Sequence, residues 1–182
     1  PYLDRLHAES FLPIVYVSHN IDEVCRLCDH LLLLDEGRLA ASGRLVDVLS
    51  RIDLPQLAGR NAGTVIEATP ARYDEEYDLT TFEFSGGEIR VPGRFDVPSA
   101  RLRIQASDVS LTRQAATATT ILNILPARIE SSSDESSSTV LLRLRVGDDA
   151  LIARITRRSF ASLGLEPGDD LYAQIKSVTV RR

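Results

Sequence analysis

At residue 62 the pattern of the chain changes, and this change constrains the fold more than any other feature. From there onward, short alternating apolar segments are separated by Gly, Pro and Asp. Candidate strands fall at 63–69, 77–84, 87–91, 100–106, 120–130, 138–146, 149–155 and 170–180, with one helix at 158–163. Short strands at regular spacing with turn residues between them predict small all-β barrels. The polar tract 131–138 (Ser-Ser-Ser-Asp-Glu-Ser-Ser-Ser) reads as a mobile hairpin loop between two of these strands. There is also a weak internal echo. Pro70-Ala71-Arg72 recurs as Pro126-Ala127-Arg128, and Arg103 to Val109 resembles Gln174 to Val178. Two related β modules, 62–113 and 119–182, are therefore expected.

Residues 1–60 read differently, as α/β. A helix is expected over the first ten residues, then a strand at 14–18. A helix follows at 21–28, with Asn20 as N-cap and Glu23 as its capping-box partner. A strand at 30–35 turns through Glu36-Gly37 into a short strand at 38–41, followed by a helix at 44–51. Residues 54–59 read as a connecting turn and short helix.

The length of 182 residues suffices for one or two cores. The net charge of −5 gives no support for a nucleic-acid surface. No apolar run reaches the length of a membrane-spanning helix. Cys25 and Cys28 form a C-x-x-C inside a helical pattern, and only His30 lies nearby as a further ligand. A zinc site needs about four ligands, so packing in a reducing compartment is the expected role. Pro1 is not a Met, and Tyr2, Leu3, Leu6 and His7 look like the face of a helix already under way. The chain is accordingly expected to be the C-terminal piece of a longer protein.

The string Val17-Ser18-His19-Asn20-Ile21-Asp22-Glu23-Val24, with the strand, Gly turn and Ala-Ser-Gly that follow, resembles the switch-histidine segment of ABC-transporter ATPases. The resemblance implies that His19 reaches the γ-phosphate of ATP. An imidazole on a fixed ring is a suitable donor to a phosphate oxygen. Two strings imitate other parts of such a site. Leu31 to Leu34 followed by Asp35-Glu36 looks like a Walker B strand, but it comes after the histidine and leads into a hairpin. Ser85-Gly86-Gly87-Glu88 looks like the signature motif, but it joins two alternating segments and reads as a hairpin turn. No G-x-x-x-x-G-K-[ST] loop occurs in the sequence. The segment alone is therefore expected not to hydrolyse ATP, although the resemblance implies ATP with Mg2+ for the intact parent.

Residues 119–182 resemble a Mop domain, an OB-like molybdate-binding module. The carrying motifs are Thr119-Thr120-Ile121-Leu122-Asn123, Ala153-Arg154-Ile155-Thr156, and Ile175-Lys176-Ser177, with the turn Leu163 to Asp169 before the last strand. The resemblance implies an oxyanion site drawn from Thr119, Thr120, Thr156, Lys176 and Ser177, formed between two modules of a dimer. A tetrahedral dianion wants hydroxyl and N–H donors with one or two cations. The family's Arg falls on Leu122, and losing one charge-assisted contact costs about 1.5–3 kcal/mol. Weakened affinity is expected.

Taken together, these resemblances imply a fold class: the α/β C-terminal remnant of an ABC nucleotide-binding domain, then an all-β OB-like (Mop/TOBE) domain of two related modules. They imply the ATP-binding subunit of a molybdate-type importer, regulated by molybdate or tungstate and dimerised through its β domain. The partners would be membrane permease subunits, with the protein peripheral on the cytoplasmic face of the membrane. Two alternatives remain open at this point: a non-enzymatic oxyanion storage or sensing module, and an importer ATPase for sulfate, iron or sugars. Residues 1–60 are expected to be marginal in isolation and 62–182 to fold independently.

Overall fold

The computed structural model describes residues 13–59 and 62–181. The helix expected over the first ten residues lies outside them. Among the described residues, a two-stranded hairpin and two five-stranded sheets carry the architecture.

The α/β part begins with irregular chain where a strand was expected at 14–18. Val15 and Val17 are 89% and 90% exposed. An apolar strand of this kind needs neighbours to take up its backbone hydrogen bonds, and no described residues pair with it. Helix α1 (Ile21–Leu27) starts as expected, with the Asn20 side chain accepting from the Asp22 N–H at 3.0 Å. The capping box does not form. Glu23 instead accepts from the hydroxyls of Tyr16 and Ser18, each at 2.9 Å, while the Asn20 N–H goes to Ser18 Oγ. Strands β1 (His30–Asp35) and β2 (Arg38–Arg44) form an antiparallel hairpin. Its two-residue turn places Glu36 and Gly37 at φ 47° and 76°, as a type I′ turn requires. The Walker B imitation is thus the first arm of a hairpin. Helix α2 (Leu45–Leu49) and a 3₁₀ turn (Pro55–Leu57) follow. Val24, Cys25, Leu45, Val48, Leu49 and Leu57 form a small core, which Val65 of the first long β-strand completes. Cys25 is buried there, and burial pushes its thiol up, as it does for Cys28. Both are free thiols.

The β part runs β3 (Gly63–Asp74), β4 (Leu79–Phe84), β5 (Gly87–Pro92), β6 (Ala100–Gln105) and β7 (Val109–Thr112). It continues with β8 (Asn123–Asp134), β9 (Thr139–Val146), β10 (Asp149–Thr156), α3 (Arg157–Ser162), β11 (Asp170–Ile175) and β12 (Thr179–Arg181). The sheet orders are β12-β6-β3-β4-β5 and β10-β9-β8-β11-β7. Each order is a three-stranded meander extended by a fourth strand and closed by a fifth from the other half of the chain. β7, from the stretch 62–113, pairs with β11, and β12 returns to pair with β6. A single core built from both sheets follows, including Phe82, Leu102, Ile129, Leu142 and Leu151.

Further bonds lock the halves together. The Asn123 amide satisfies both backbone groups of Arg90 on the edge of β5, at 2.7 and 3.0 Å. Thr64 Oγ1 accepts the Ile152 N–H on β10 at 2.9 Å. The β4–β5 and β9–β10 turns touch so closely that a Cβ on Gly147 would lie 2.4 Å from the Ser85 carbonyl carbon. Ser85 Oγ bonds Asp149 and the Asp148 N–H. The signature imitation at Ser85-Gly86-Gly87 is therefore a hairpin turn with a packing role. The polar tract is not all loop: Ser131 to Asp134 continue β8 after a bulge, and Glu135 is anchored by Arg154. Both long strands carry such a bulge, at Pro70/Arg72 and at Ile129/Ser131.

Candidate functional site

Along the seam of the second sheet, β10 lies beside β7 and the 3₁₀ turn Ala106–Asp108 without forming a ladder with them among the described residues. Two edges that approach without pairing leave a groove, and α3 covers one end of it. The groove has a volume of about 530 Å³. Its polar lining consists of Ser107, Ser110, Thr156, Ser159 and Ser162 with Arg154 and Arg158, and no carboxylate. Hydroxyl donors, two guanidinium groups and no carboxylate suit a small oxyanion.

Thr156 sits at the N-cap of α3. Its hydroxyl accepts the Ser159 N–H at 3.0 Å and lies 2.8 Å from Ser159 Oγ. Arg158 forms no ion pair or hydrogen bond among the described residues, so its charge is available to a ligand. Arg154 is committed: Nε and Nη2 donate to the Glu135 carboxylate at 2.7 and 2.5 Å, and Nη2 also donates to the Gly59 carbonyl. Burial alone would push the Glu135 carboxyl up, but Arg154 and the Gly59 N–H hold it below its ordinary range. At the other end of α3, Arg113 donates to the Leu163 and Gly164 carbonyls and pairs with Asp169 at 2.8 Å, which fixes the groove wall. The Glu166 N–H and Arg113 hold the Asp169 carboxyl below its ordinary range.

Of the residues expected in an oxyanion site, only Thr156 lines this groove. Lys176 and Ser177 are exposed just past β11, and the Lys176 N–H bonds the Asp108 carbonyl, next to Ser107. Thr119 and Thr120 are exposed before β8, with Thr119 Oγ1 accepting the Ile121 N–H. Leu122 is 55% exposed and also outside the groove. The expected set thus divides in one chain. The strand exchange explains why: it brings the end of the 62–113 stretch, with Ser107 and Ser110, against the hairpin that carries Thr156. Ser107, Ser110 and Arg158 were not anticipated. The signal for Ser107 was present in the echo between Arg103–Val109 and the closing Ile-Lys-Ser.

His19 stands exposed at a bend before α1. The hydroxyls of Ser18 and Tyr16 hold the neighbouring Glu23 carboxyl below its ordinary range. The described residues contain no cluster of His, Cys, Asp and Glu able to hold a metal ion. They also contain no helix long and apolar enough to cross a membrane.

Residues 119–181 match the TOBE domain family, which gives the class of that stretch. Along its whole length the chain is similar to molybdenum import ATP-binding proteins. It is 48% identical to the one from Aromatoleum aromaticum, over 100% of this chain and 49% of that protein. It is 45% identical to one from Azotobacter vinelandii, over 99% of this chain and 51% of that protein, and 46% identical to that of Pseudomonas aeruginosa, with the same two coverages. The chain therefore spans about half the length of the curated relatives it matches. A solved structure of the cytoplasmic molybdate-binding protein ModG, with molybdate bound, superposes with a TM-score of 0.55 at 19% identity. The match covers 65% of this chain and 94% of that one, a likeness of fold.

Proposed function

We propose that this chain is the C-terminal half of the ATP-binding subunit of a molybdate importer. Residues up to 60 complete its nucleotide-binding domain, and 62–182 form the regulatory domain in two modules, 62–113 and 119–182. In this reading the β part binds molybdate or tungstate and dimerises, while the intact protein works with membrane permease subunits on the cytoplasmic face of the membrane. The observation that carries the oxyanion assignment is the groove itself, lined by five hydroxyls and two guanidinium groups with no carboxylate. The ModG likeness supports it at the level of fold.

The residues present do not make an ATP site. His19 is one candidate contact to a γ-phosphate, and no phosphate-cradling loop occurs in the sequence. ATP with Mg2+ is accordingly assigned to the intact parent, with His19 contributing one donor. Thr119, Thr120, Lys176 and Ser177, outside the groove in one chain, complete the oxyanion site across the dimer in this reading.

Calorimetric titration of the 182-residue chain with molybdate, with sulfate as competitor, tests the proposal. Saturable binding that prefers molybdate and is weakened by Arg158→Ala is expected, with tungstate binding alike. Weakening by Lys176→Ala as well would place that residue in the shared site. Absence of binding to either oxyanion overturns the assignment of the groove.

A further inference from the structure

Arg154 lines the groove, and it is also bonded to the joint between the two parts of the molecule. Gly59 follows the 3₁₀ turn whose Leu57 belongs to the α/β core, and β3 begins four residues later at Gly63. Its backbone is held on both sides by one ion pair: the Gly59 N–H donates to Glu135 Oε1 at 2.8 Å, and the Gly59 carbonyl accepts from Arg154. The pair is largely withdrawn from water, with side-chain exposures of 18% for Arg154 and 12% for Glu135. Gly59 takes φ 78°, which favours glycine. Among the described residues, Arg154 Nη1 has no partner.

We propose that the Arg154–Glu135–Gly59 clamp couples the groove to the α/β part, an oxyanion in the groove competing with Glu135 for Arg154 and so loosening the hold on Gly59. The inference rests on the oxyanion reading of the groove. A dianion bound in the groove beside Arg154 would be a second negative group on the guanidinium that the Glu135 carboxylate already holds, and two negative groups sharing one cation weaken each other's hold on it. Linkage makes the effect reciprocal: if the ligand opens the clamp, opening the clamp by mutation tightens the ligand by the same factor.

Two measurements test this on the full chain, with molybdate as the probe. Amide exchange at Gly59, followed by NMR, is expected to speed up as molybdate is added to the wild-type protein. Glu135→Gln, which keeps the shape of the side chain and removes its charge, is expected to bind molybdate about fivefold more tightly or better. The lost charge favours an anion by itself, so tighter binding by the variant supports the coupling only together with faster Gly59 exchange in the wild type. If molybdate binds but Gly59 exchange is unchanged, the coupling is wrong whatever the affinity of Glu135→Gln, while the groove assignment stands. If molybdate does not bind the wild type at all, both fail together. The exchange measurement needs no variant, so a poorly folded Glu135→Gln leaves the test intact.

Discussion

In the β part, Leu142, Leu144 and Leu151 are fully buried between two sheets, whereas in the α/β part Val15, Val17, Leu32, Leu34 and Leu39 face solvent. Both stretches are comparably apolar in sequence. The difference lies in what each can pack against within these residues. The β strands come as two five-stranded sheets, each extended by a strand from the other half of the β part, and their inward side chains share one core. Among the described residues, the hairpin and helices of the α/β part cover one face with their small core and leave the other exposed. Leu32, Leu34 and Leu39, exposed together on one hairpin, make an apolar surface of the kind that partners cover. Under the reading proposed here, the rest of the nucleotide-binding domain covers it.

The contrast can be broken most forcefully in the core. Leu142→Ala removes a fully buried side chain and is expected to cost about 2–5 kcal/mol in urea unfolding, while Leu34→Ala on the bare face stays within about 0.5 kcal/mol. Equal costs would mean that the α/β face is covered after all. Next in size is the joint between the regions. Arg154→Ala strands Glu135 and is expected to lower stability by about 3 kcal/mol. The pH dependence follows from the direction of the Glu135 shift. Its carboxyl is held low in the folded state, so its contribution is present above the ordinary carboxylate range and is lost as the pH falls through the folded value. The stability gap between wild type and Glu135→Gln should shrink on acidification, and a gap that grows would contradict the clamp.

Gly147→Ala tests the lock between the hairpin turns. A Cβ there meets Ser85 and Gly86 backbone atoms at 2.4–2.5 Å with φ at 62°, so a loss of about 1–3 kcal/mol is expected in thermal unfolding. The smallest effect on stability belongs to the groove. Arg158→Ala should leave the melting temperature unchanged and weaken molybdate binding about tenfold or more. An unchanged affinity would remove Arg158 from the site and sharpen the case for Lys176.

Much of this was legible residue by residue. Asn20 as a cap, Glu36-Gly37 as a turn and the strands from 63 onward are local signals, set by periodicity and by φ preferences that each residue carries with it. The resemblance of Val17 to Val24 and of the three C-terminal motifs is equally a property of the string. Only the tertiary structure decided where those strings end up. The 14–18 segment is apolar enough for a strand, but a strand exists only in its partners' hydrogen bonds, and no described residues supply them. Likewise Thr156 and Lys176 belong to one motif set, yet the exchange of β7 and β12 puts Thr156 against Ser107 and leaves Lys176 outside the groove. Pairing between strands 60 or more residues apart is chosen by the shared core, and no local pattern records it.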